Sequence, residues 1–446
     1  MSSKAKEGLL KRIKDSGVKL ITLQFVDIFG TAKGFTIPTE HLEESLSGLG
    51  FDGSSIEGFV RIYESDMLAI PDLTTFRVLP WRPQEKKEGR IICDLYRPEG
   101  RPFEGDPRYI LKKTLEEAEA SGFVYNVGPE LEFFLFKVDE AHQLKPAPHD
   151  MGSYFDLSPL DISLDIRREA TFALQEMGLD VERGHHEVAP GQHEIDFKFT
   201  DALTTADNVI TYKSILKAVA SDHDLLATFM PKPIAGINGS GMHTHQSLCD
   251  AKTGRNAFFD PGDEYSLSEL AYRFIGGQLK HAREMSLVLS PTTNSYKRLV
   301  PGYEAPTYIC WGRRNRSALI RVPEYHPGRE KETRLELRCP DPSCNPYLAL
   351  TVMLKAGLDG IKSKIQPPNP VEEDVYEFDE RKLAKFYIET LPSSLGEAIE
   401  EFEKSKLMRE ALGEFTFRKY IEAKKKEWNE YNTQVTGWEL KKYLDL

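Results

Sequence analysis

The stretch that most constrains this chain is residues 128–136, GPELEFFLF, in which two glutamates flank a leucine at the head of an aromatic run. Successive side chains of a β-strand point to opposite faces, so Glu130 and Glu132 share one face while Leu131 and Phe133 share the other. Two carboxylates that point the same way beside a core-forming strand repel each other unless a cation lies between them. The stretch therefore predicts a metal site. The same alternation is also typical of a half-exposed strand whose charged face points to solvent.

Composition narrows the kind of partner that this chain can bind. The chain has 446 residues, 40% of them hydrophobic, which is enough for a large core in two or three domains. A net charge of −12 argues against a nucleic-acid or anionic-membrane partner and favours small molecules. Five scattered cysteines without a CxxC pair are typical of a reduced compartment. Because the amino terminus has no apolar stretch long enough for a signal peptide or membrane span, we expect a cytoplasmic protein.

The chain divides near residue 104, where the run RPEGRPFEGDP concentrates proline, glycine and charge. Before it, a short amphipathic helix and two strands joined at Gly30 lead into a polar loop. After it, Asp106 and Pro107 predict the start of a helix, and strands then alternate with helices. One of these helices is predicted to span TTADNVITYKSILKAVASDHDLLATF. We therefore predict two domains, residues 1–104 and residues 105–446.

Further strand-like segments repeat the pattern of the first pair. In HHEVAPGQHEID, a hairpin turning on Pro190 and Gly191 would place Glu187 and Glu194 across from each other. In NGSGMHTHQSL, alternation sends His243, His245 and Ser247 to one face. In RLELR, the residues that share a face are Arg334, Glu336 and Arg338.

Each of these segments alone is also compatible with a structural histidine or with solvated cross-strand charge pairs. Together they supply five glutamates and a histidine on strands. Oxygen-rich ligation with one imidazole suits magnesium or manganese better than zinc.

The segment after residue 290 is rich in arginine: Arg298, Arg313, Arg314, Arg316 and Arg321. Guanidinium groups clamp carboxylates and phosphates, so beside a metal cluster they indicate an anionic substrate and a nucleotide. A solvated basic patch or an RNA contact is the alternative, but neither explains Glu304, a carboxylate that can admit or deprotonate a cation or amine. The chain has no GxxxxGK[ST] or GxGxxG motif, so ATP would be held by metals and arginines.

Seven motifs give the chain a resemblance to the type I glutamine synthetases. They are FDGSS, GPELEFF, HHEVAPGQHEID, NGSGMHTHQSL, KRLVPGYEAP, RNRSALIR and LELRCPDPSCNPYLAL, in family order from residue 51 to about 350. The resemblance implies an α+β fold: an amino-terminal β-grasp domain and a larger α/β catalytic domain with a curved antiparallel sheet. It also implies a dodecamer of two hexameric rings, with active sites between subunits.

The resemblance also assigns roles to individual residues. Metal ligands are matched by Glu132, Glu187 and Glu194 for one ion and by Glu130, His243 and Glu336 for a second. Glutamate-binding positions are matched by Asn238, Gly239, Arg298, Glu304, Arg316 and Arg338. ATP-binding positions are matched by Glu182, Phe199, His245, Ser247, Arg316, Arg321, Lys331 and Arg334. The ammonium pocket is matched by Asp52, Ser55, Tyr154, Glu187 and Glu304, with Asp52 and Ser55 reaching into the neighbouring subunit's site.

The implied reaction is ATP-dependent synthesis of glutamine from glutamate and ammonia through γ-glutamyl phosphate, in nitrogen assimilation. Asp52, Glu304 and Arg316 are the implied catalytic residues, with magnesium or manganese at two positions or more. The adenylylation segment of the enterobacterial branch, NLYDLPPEE-like, has no counterpart in VEEDVYEFDERKLAKFYIETLPSSL. Arg61 instead matches an arginine associated with glutamine feedback.

Two other functions stay open on the sequence. One is a ligase that joins glutamate to another amine on the same scaffold, although a pocket for a small cation should retain both Asp52 and Glu304, as this chain does. The other is a non-catalytic regulator that senses glutamine, against which the intact metal ligands argue. No regulatory protein partner can be named from the sequence.

Overall fold

The computed structural model describes residues 3–54, 56, 66–82, 84–138 and 147–446. The strands of these residues form two sheets, and the helices pack around them. The strands are β1 (Leu20–Val26), β2 (Ala32–Pro38), β3 (Leu49–Asp52), β4 (Asp66–Pro71), β5 (Arg77–Val78), β6 (Glu88–Tyr96), β7 (Phe123–Lys137), β8 (Val181–His186), β9 (Gln192–Phe197), β10 (Thr200–Asp201), β11 (Leu225–Thr228), β12 (Met242–Asp250), β13 (Tyr308–Arg313), β14 (Ala318–Val322) and β15 (Leu335–Leu337).

Helices follow the strands along the chain, most of them after residue 104. They are α1 (Ser3–Asp15), α2 (Pro107–Ala120), α3 (Leu164–Glu176), α4 (Ala202–Asp222), α5 (Glu269–Lys280), α6 (Ala282–Leu289), α7 (Ser295–Arg298), α8 (Pro346–Ser363), α9 (Glu380–Lys385), α10 (Leu395–Lys404), α11 (Lys406–Asn432) and α12 (Gly437–Tyr443). None of the helices in the described part of the chain combines the length and apolar character needed to cross a bilayer.

The amino-terminal sheet has the order β2-β1-β6-β4-β3, with β5 paired to β6. The β1–β6 pair is parallel, and the β1–β2 pair is an antiparallel hairpin that turns at Gly30 as predicted. Gly30 has φ +78°, and a Cβ there would lie 2.8 Å from the Cα of Asn345, so only glycine allows this close approach. Asn345 also donates from Nδ2 to the carbonyls of Asp27 and Ile28, which ties the hairpin to the second domain.

The second sheet carries the predicted strands in the order β13-β14-β15-β12-β7-β9-β8, with β10 and β11 also paired to β7. It is antiparallel except for the β13–β14 pair. Leu131 and Phe133 of β7 are fully buried in the larger core together with residues of α4. The opposite face of β7 carries Glu130 and Glu132, as the alternation predicts. The two sheets confirm the predicted α+β class.

Local signals placed the start of α2 correctly. Asp106 accepts from the backbone N–H of Arg108 and Pro107 is the first residue of α2, as predicted. One prediction was wrong: the helix expected to run through LLATF ends at Asp222, and residues 225–228 form β11 instead. These residues pair with the far end of β7, so tertiary pairing decided their conformation.

Candidate active site

The outer face of the second sheet forms the floor of a cavity of about 530 Å³. A second chamber of about 430 Å³ adjoins it. The two chambers share four lining residues, so they are parts of one cleft. The shared residues are Glu130, Arg183, His245 and Arg334. All six predicted metal ligands line the larger chamber: Glu130, Glu132, Glu187, Glu194, His243 and Glu336.

Three of these ligands form one cluster at the centre of the cleft. Glu130 of β7 lies directly opposite His243 of β12 in the strand register. His243 Nδ1 lies 3.6 Å from a carboxylate oxygen of Glu130 and 3.8 Å from one of Glu336. These three side chains could hold one metal ion, which agrees with the ligand set that the resemblance implies.

The cluster is held by charged neighbours. Arg321 and Arg338 donate to separate oxygens of Glu336 at 2.6 and 2.5 Å. Burial raises the pKa of Glu336, but Arg338 and then the nearby histidines overcome this and lower it to about 2. Arg334 Nε donates to His245 Nδ1, so His245 carries its proton on Nε2 and donates it to Glu130. The central carboxylates therefore stay ionised.

A second cluster gathers His185, Glu187 and Glu194. The expectation that Glu187 faces Glu194 across the hairpin was wrong by two residues, because Glu194 pairs with His185 and with Glu132 of β7. His185 and Glu187 are two residues apart, so their side chains nevertheless share a face with Glu194. His185 Nε2 lies 2.8 Å from Glu187 and 3.8 Å from Glu194. Glu132 stands beside them and accepts from the Gln192 side-chain amide and from the backbone N–H of Gly241.

This second cluster has the charge pattern of a cation site. Burial, reinforced by the charge of Glu187, raises the pKa of Glu132 to about 8. Burial and four neighbouring carboxylates raise the pKa of Glu194 well above its ordinary value. No arginine or lysine of the described residues lies within ion-pair distance of Glu132, Glu187 or Glu194. A divalent cation would relieve this repulsion, so the donor set fits a metal ion.

A third group capable of metal ligation, Asp150, His186 and His193, lies buried behind the hairpin. Arg167 donates to His193 Nδ1, so the proton of His193 is on Nε2 and blocks that atom as a ligand. Asp150 accepts from His186 Nε2 and from the backbone N–H of Gly191. The group therefore braces the turn between β8 and β9.

The predicted glutamate-binding residues border both clusters. Arg298 is buried and donates to the backbone carbonyls of Arg338, Cys339 and Pro340, which fixes its position. A Cβ on Gly241 would lie 2.6 Å from Arg298 Nη2, so glycine makes room for this guanidinium. Asn238, Gly239, Arg316 and Arg338 line the same chamber.

Glu304 and Tyr154 also reach this chamber. Glu304 has φ +56°, a left-handed conformation that is uncommon for a residue with a side chain. Its carboxylate accepts from Asn238 Nδ2 at 3.1 Å, and its side chain is otherwise exposed at the rim. The loop is thus tied to the predicted glutamate-binding segment by one polar contact.

The second chamber collects most of the predicted ATP-binding residues. Phe199 is half exposed there, which leaves one aromatic face free for a base. Arg321 lines the larger chamber instead. The residues brought together in the second chamber are Glu182, Phe199, His245, Ser247, Lys331 and Arg334.

The predicted residues of the amino-terminal domain are not brought into this cleft. Asp52 ends β3, is exposed and accepts from the backbone N–H of Ser54, and it does not line the cleft of its own chain. The hydrogen bonds from Ser54 lower the pKa of Asp52. The other two predicted residues of this domain, Ser55 and Arg61, lie outside the described residues.

Sequence reasoning missed three residues of the cleft, Arg183, His185 and Gln192. Arg183 lies 2.5 Å from Asp196 and 3.7 Å from Glu130. Its side chain lies at the boundary between the two chambers and lines both. The signal was available, since positions 183, 185 and 187 alternate onto one strand face. Gln192 gave no such signal, because its role depends on Glu132 of another strand.

The raised pKa of Glu132 makes the stability of the metal-free protein depend on pH. The folded state holds a proton that the unfolded chain releases near its ordinary pKa of 4.5, so the free energy of unfolding falls as pH rises toward about 8. We expect a slope of up to about 1.4 kcal/mol per pH unit. Melting temperatures of EDTA-treated protein across this range check the prediction. A Glu132→Gln variant should show a flatter dependence, and an equally steep one would contradict the assignment.

A mixed amino-terminal sheet is joined to a larger sheet that holds two carboxylate clusters and several arginines. This arrangement defines a class of enzyme whose cleft could hold cations and anions side by side. Residues 17–98 match the model for the β-grasp domain of glutamine synthetase, and residues 104–443 match its catalytic domain. The chain therefore belongs to the glutamine synthetase family and is a carbon–nitrogen ligase.

Relatives match the chain over its whole length. Glutamine synthetase from Clostridium saccharobutylicum is 51% identical and covers 100% of both chains. The Methanosarcina mazei enzyme is 52% identical over 99% of this chain and 98% of its own. Among solved structures, a GmaS/ADP complex is 34% identical with a TM-score of 0.89, covering 98% of this chain and 99% of that one. Plasmodium falciparum glutamine synthetase is 28% identical with a TM-score of 0.87, covering 99% of each.

Proposed function

We propose that this enzyme makes glutamine from glutamate and ammonia with ATP, through a γ-glutamyl phosphate intermediate, and so serves nitrogen assimilation. The observation that carries the proposal is that one chamber holds both carboxylates without an arginine or lysine ion-pair partner among the described residues and arginines that could bind an anion. Glu132, Glu187 and Glu194 attract cations, while Arg298 and Arg338 attract the carboxylate of an amino acid. A site for glutamate next to sites for cations is what this reaction needs.

Divalent ions fit the two clusters, with magnesium or manganese favoured by the oxygen-rich donors. When bound, such ions supply charge stabilisation for the phosphoryl group of ATP. Glu130, His243 and Glu336 would hold one ion. Glu187 and Glu194, with Glu132 beside them, would hold the other.

The first step moves a phosphoryl group. Arg298 and Arg338 would orient glutamate so that an oxygen of its γ-carboxylate attacks the γ-phosphorus of ATP, and the bond from that phosphorus to the β-phosphate oxygen breaks to release ADP. Arg316, exposed at the cavity wall, would spread the charge of the transferring group. Arg183 and Arg334, which line both chambers, are placed to contact the phosphates.

The second step forms the amide. Ammonium would enter the pocket near Tyr154, Glu187 and Glu304 and lose a proton to Asp52 of a neighbouring subunit. Ammonia then attacks the carbonyl carbon of γ-glutamyl phosphate. Glu304 accepts the extra proton from the nitrogen of the tetrahedral adduct, and the carbon–oxygen bond to phosphate breaks. The rim position of Glu304 would also let its loop exclude water from the acyl phosphate.

The second chamber would hold the nucleotide. Its lining combines Phe199, which offers an aromatic face, with the cations Lys331 and Arg334. The similarity to a GmaS/ADP complex over 98% of this chain supports nucleotide binding in this fold. The absence of a glycine-rich phosphate loop from the sequence agrees with phosphates held by arginines and metal ions.

Subunits would assemble as a homo-oligomer, with a dodecamer of two hexameric rings as the expected form. Support comes from Asp52, which lies outside the cleft of its own chain and so would act in a neighbour's. Exposed apolar residues at the carboxyl end also suit subunit packing: Trp438, Leu440, Leu444 and Leu446. Mass photometry should give about twelve times the 50.7 kDa of one chain, and a monomer that remains fully active would contradict the shared site.

The test of the proposed function is an assay of the purified enzyme with ATP, glutamate and a divalent metal ion, comparing ammonium with a panel of larger amines. We expect ATP-dependent glutamine formation with ammonium and weak activity with the others. Activity only with the larger amines would support the alternative ligase, which joins glutamate to another amine. No product with any amine would contradict both.

Glutamine feedback through Arg61 is a separate prediction. An Arg61→Ala enzyme should keep its synthetic activity. The glutamine concentration for half-maximal inhibition should rise at least about 10-fold, which is the size of effect expected when an allosteric contact is lost. Inhibition curves at fixed substrate concentrations measure this, with Arg101→Ala, an exposed arginine paired to Glu99, as control. Equal inhibition of wild type and Arg61→Ala would count against the assignment.

A further inference from the structure

A smaller cavity lies at the junction of the two domains, apart from the catalytic cleft. Its volume is about 150 Å³, and it opens to solvent past the exposed Thr74 and Thr204. Three arginines line it: Arg77 on β5, Arg90 on β6 and Arg108 on α2. None of them belongs to the site described above.

Arg108 makes ion pairs with the three carboxylates near this cavity. Its guanidinium lies 3.0 Å from Asp72, 2.6 Å from Asp94 and 3.0 Å from Asp207. Asp207 also accepts from the hydroxyl of Tyr347. Asp72 and Asp207 also line the cavity, so its lining holds three arginines against two carboxylates, and both carboxylates make their ion pairs with Arg108.

Arg90 is left with few partners. It is only 6% exposed, its Nη1 donates to the hydroxyl of Thr211 at 3.1 Å, and its buried Nε has no hydrogen-bond partner. Among the described residues, no carboxylate lies within ion-pair distance of it or of Arg77. A buried cation with one neutral hydrogen-bond partner is costly, so an anion beside Arg90 would stabilise it.

Arg77 adds a second positive charge at the same place. Its Nε and Nη1 donate to the carbonyls of Met177 and Phe76 at 2.8 Å each, which holds the guanidinium against the cavity wall. Burial lowers the pKa of the Arg90 guanidinium to about 10, and the charges of Arg77 and Arg108 contribute to this, against a partial offset by Asp207. The cavity wall thus carries more positive charge than its neighbours neutralise.

We propose that this cavity binds a small oxyanion of the phosphate or sulfate type, held between Arg90 and Arg77. An oxyanion would give the Arg90 Nε its missing acceptor, and the volume excludes a nucleotide. Asn208 and Thr211 of α4 also line the cavity. Because the arginines belong to the amino-terminal sheet and α4 to the catalytic domain, the bound anion joins the two domains and stabilises the folded enzyme.

The test compares melting temperatures of the whole enzyme in phosphate, sulfate and chloride at constant ionic strength. We expect phosphate or sulfate to raise the melting temperature of wild type by about 3 °C more than chloride does. Phosphate and sulfate can also occupy the catalytic cleft, so the informative quantity is the difference between variants. Asn208→Asp supplies a carboxylate to the cavity without removing a buried cation, so it should fold and lose this extra shift, as should Arg90→Met. Arg101→Gln, on the surface of the same domain, should keep it.

The location of the anion is measured separately with selenate, by anomalous scattering from crystals of the enzyme. We expect a selenium peak within hydrogen-bond reach of Arg90 Nε in wild type and none in Asn208→Asp. The proposal is overturned if wild type and Asn208→Asp show the same phosphate and sulfate shifts, or if only water occupies the cavity at saturating selenate. Glutamine synthesis is not the readout, so this outcome is independent of the proposed function.

Discussion

Replacing Glu194 with glutamine is expected to lower glutamine synthesis by ~100-fold or more and to raise the metal concentration needed for half-maximal activity. Glu194 lies opposite both Glu132 and His185, at the point where β7, β8 and β9 meet. The substitution removes a charged ligand from this cluster. No arginine or lysine of the described residues lies within ion-pair distance of the cluster to replace the charge of a metal ion. Steady-state assays over a range of magnesium and manganese concentrations measure both effects.

The same substitution should stabilise the metal-free protein. Burial and the charges of Asp196, Glu130, Glu132 and Glu187 disfavour an ionised Glu194, so a neutral amide at this position relieves repulsion. We expect a gain of about 1 kcal/mol in the free energy of unfolding, typical of a functional site that sacrifices stability. Glu116→Gln, on an exposed position of α2, is the matched control. A Glu194→Gln enzyme that is both destabilised without metal and fully active would contradict the cation site.

Replacing Glu304 with alanine is expected to separate ATP use from amide formation. Glutamine synthesis should fall ~100-fold because the proton acceptor and the closing carboxylate are both lost, while ATP cleavage continues with water as the acceptor. Metal affinity should stay unchanged, since Glu304 belongs to neither cluster. Parallel measurement of ADP, phosphate and glutamine shows the ratio directly.

A Glu304→Gln variant distinguishes charge from position. Glutamine retains an oxygen that can accept from Asn238 Nδ2, so the contact that ties the loop is kept. If the negative charge is what Glu304 contributes, Glu304→Gln should resemble Glu304→Ala. Glutamine synthesis at the wild-type rate in the alanine variant would remove Glu304 from the mechanism.

Short-range pattern was sufficient for much of the site. The two-residue alternation placed Glu130 and Glu132 on one face of their strand and His243 and His245 on one face of another, and the structure has both pairs in the cleft. Capping residues likewise located the start of α2. These features depend only on the local geometry of a strand or a helix terminus, which a few neighbouring residues determine.

Pairing between distant segments was beyond the same reasoning. The shift that sets Glu194 opposite His185 and not Glu187 depends on the turn and on how the hairpin packs against β7. The strand at 225–228 was missed for a similar reason, because its partner is the far end of β7. Register is decided by which side chains reach the core, and that is a property of the assembled sheet.

By itself, then, the sequence determined the carboxylate pair of GPELEFFLF, the faces of its partner strands and the family that the motifs resemble. Only the tertiary structure decided how these segments meet. It placed the carboxylate of Glu336 between Arg321 and Arg338, and it buried Arg90 without a carboxylate partner among the described residues.

The physical reason is the range over which each feature is set. Alternation and capping depend on a few neighbouring residues, so they can be predicted directly from the sequence. The charge balance around Glu336 and around Arg90 depends on side chains that come together only when distant strands and both domains pack.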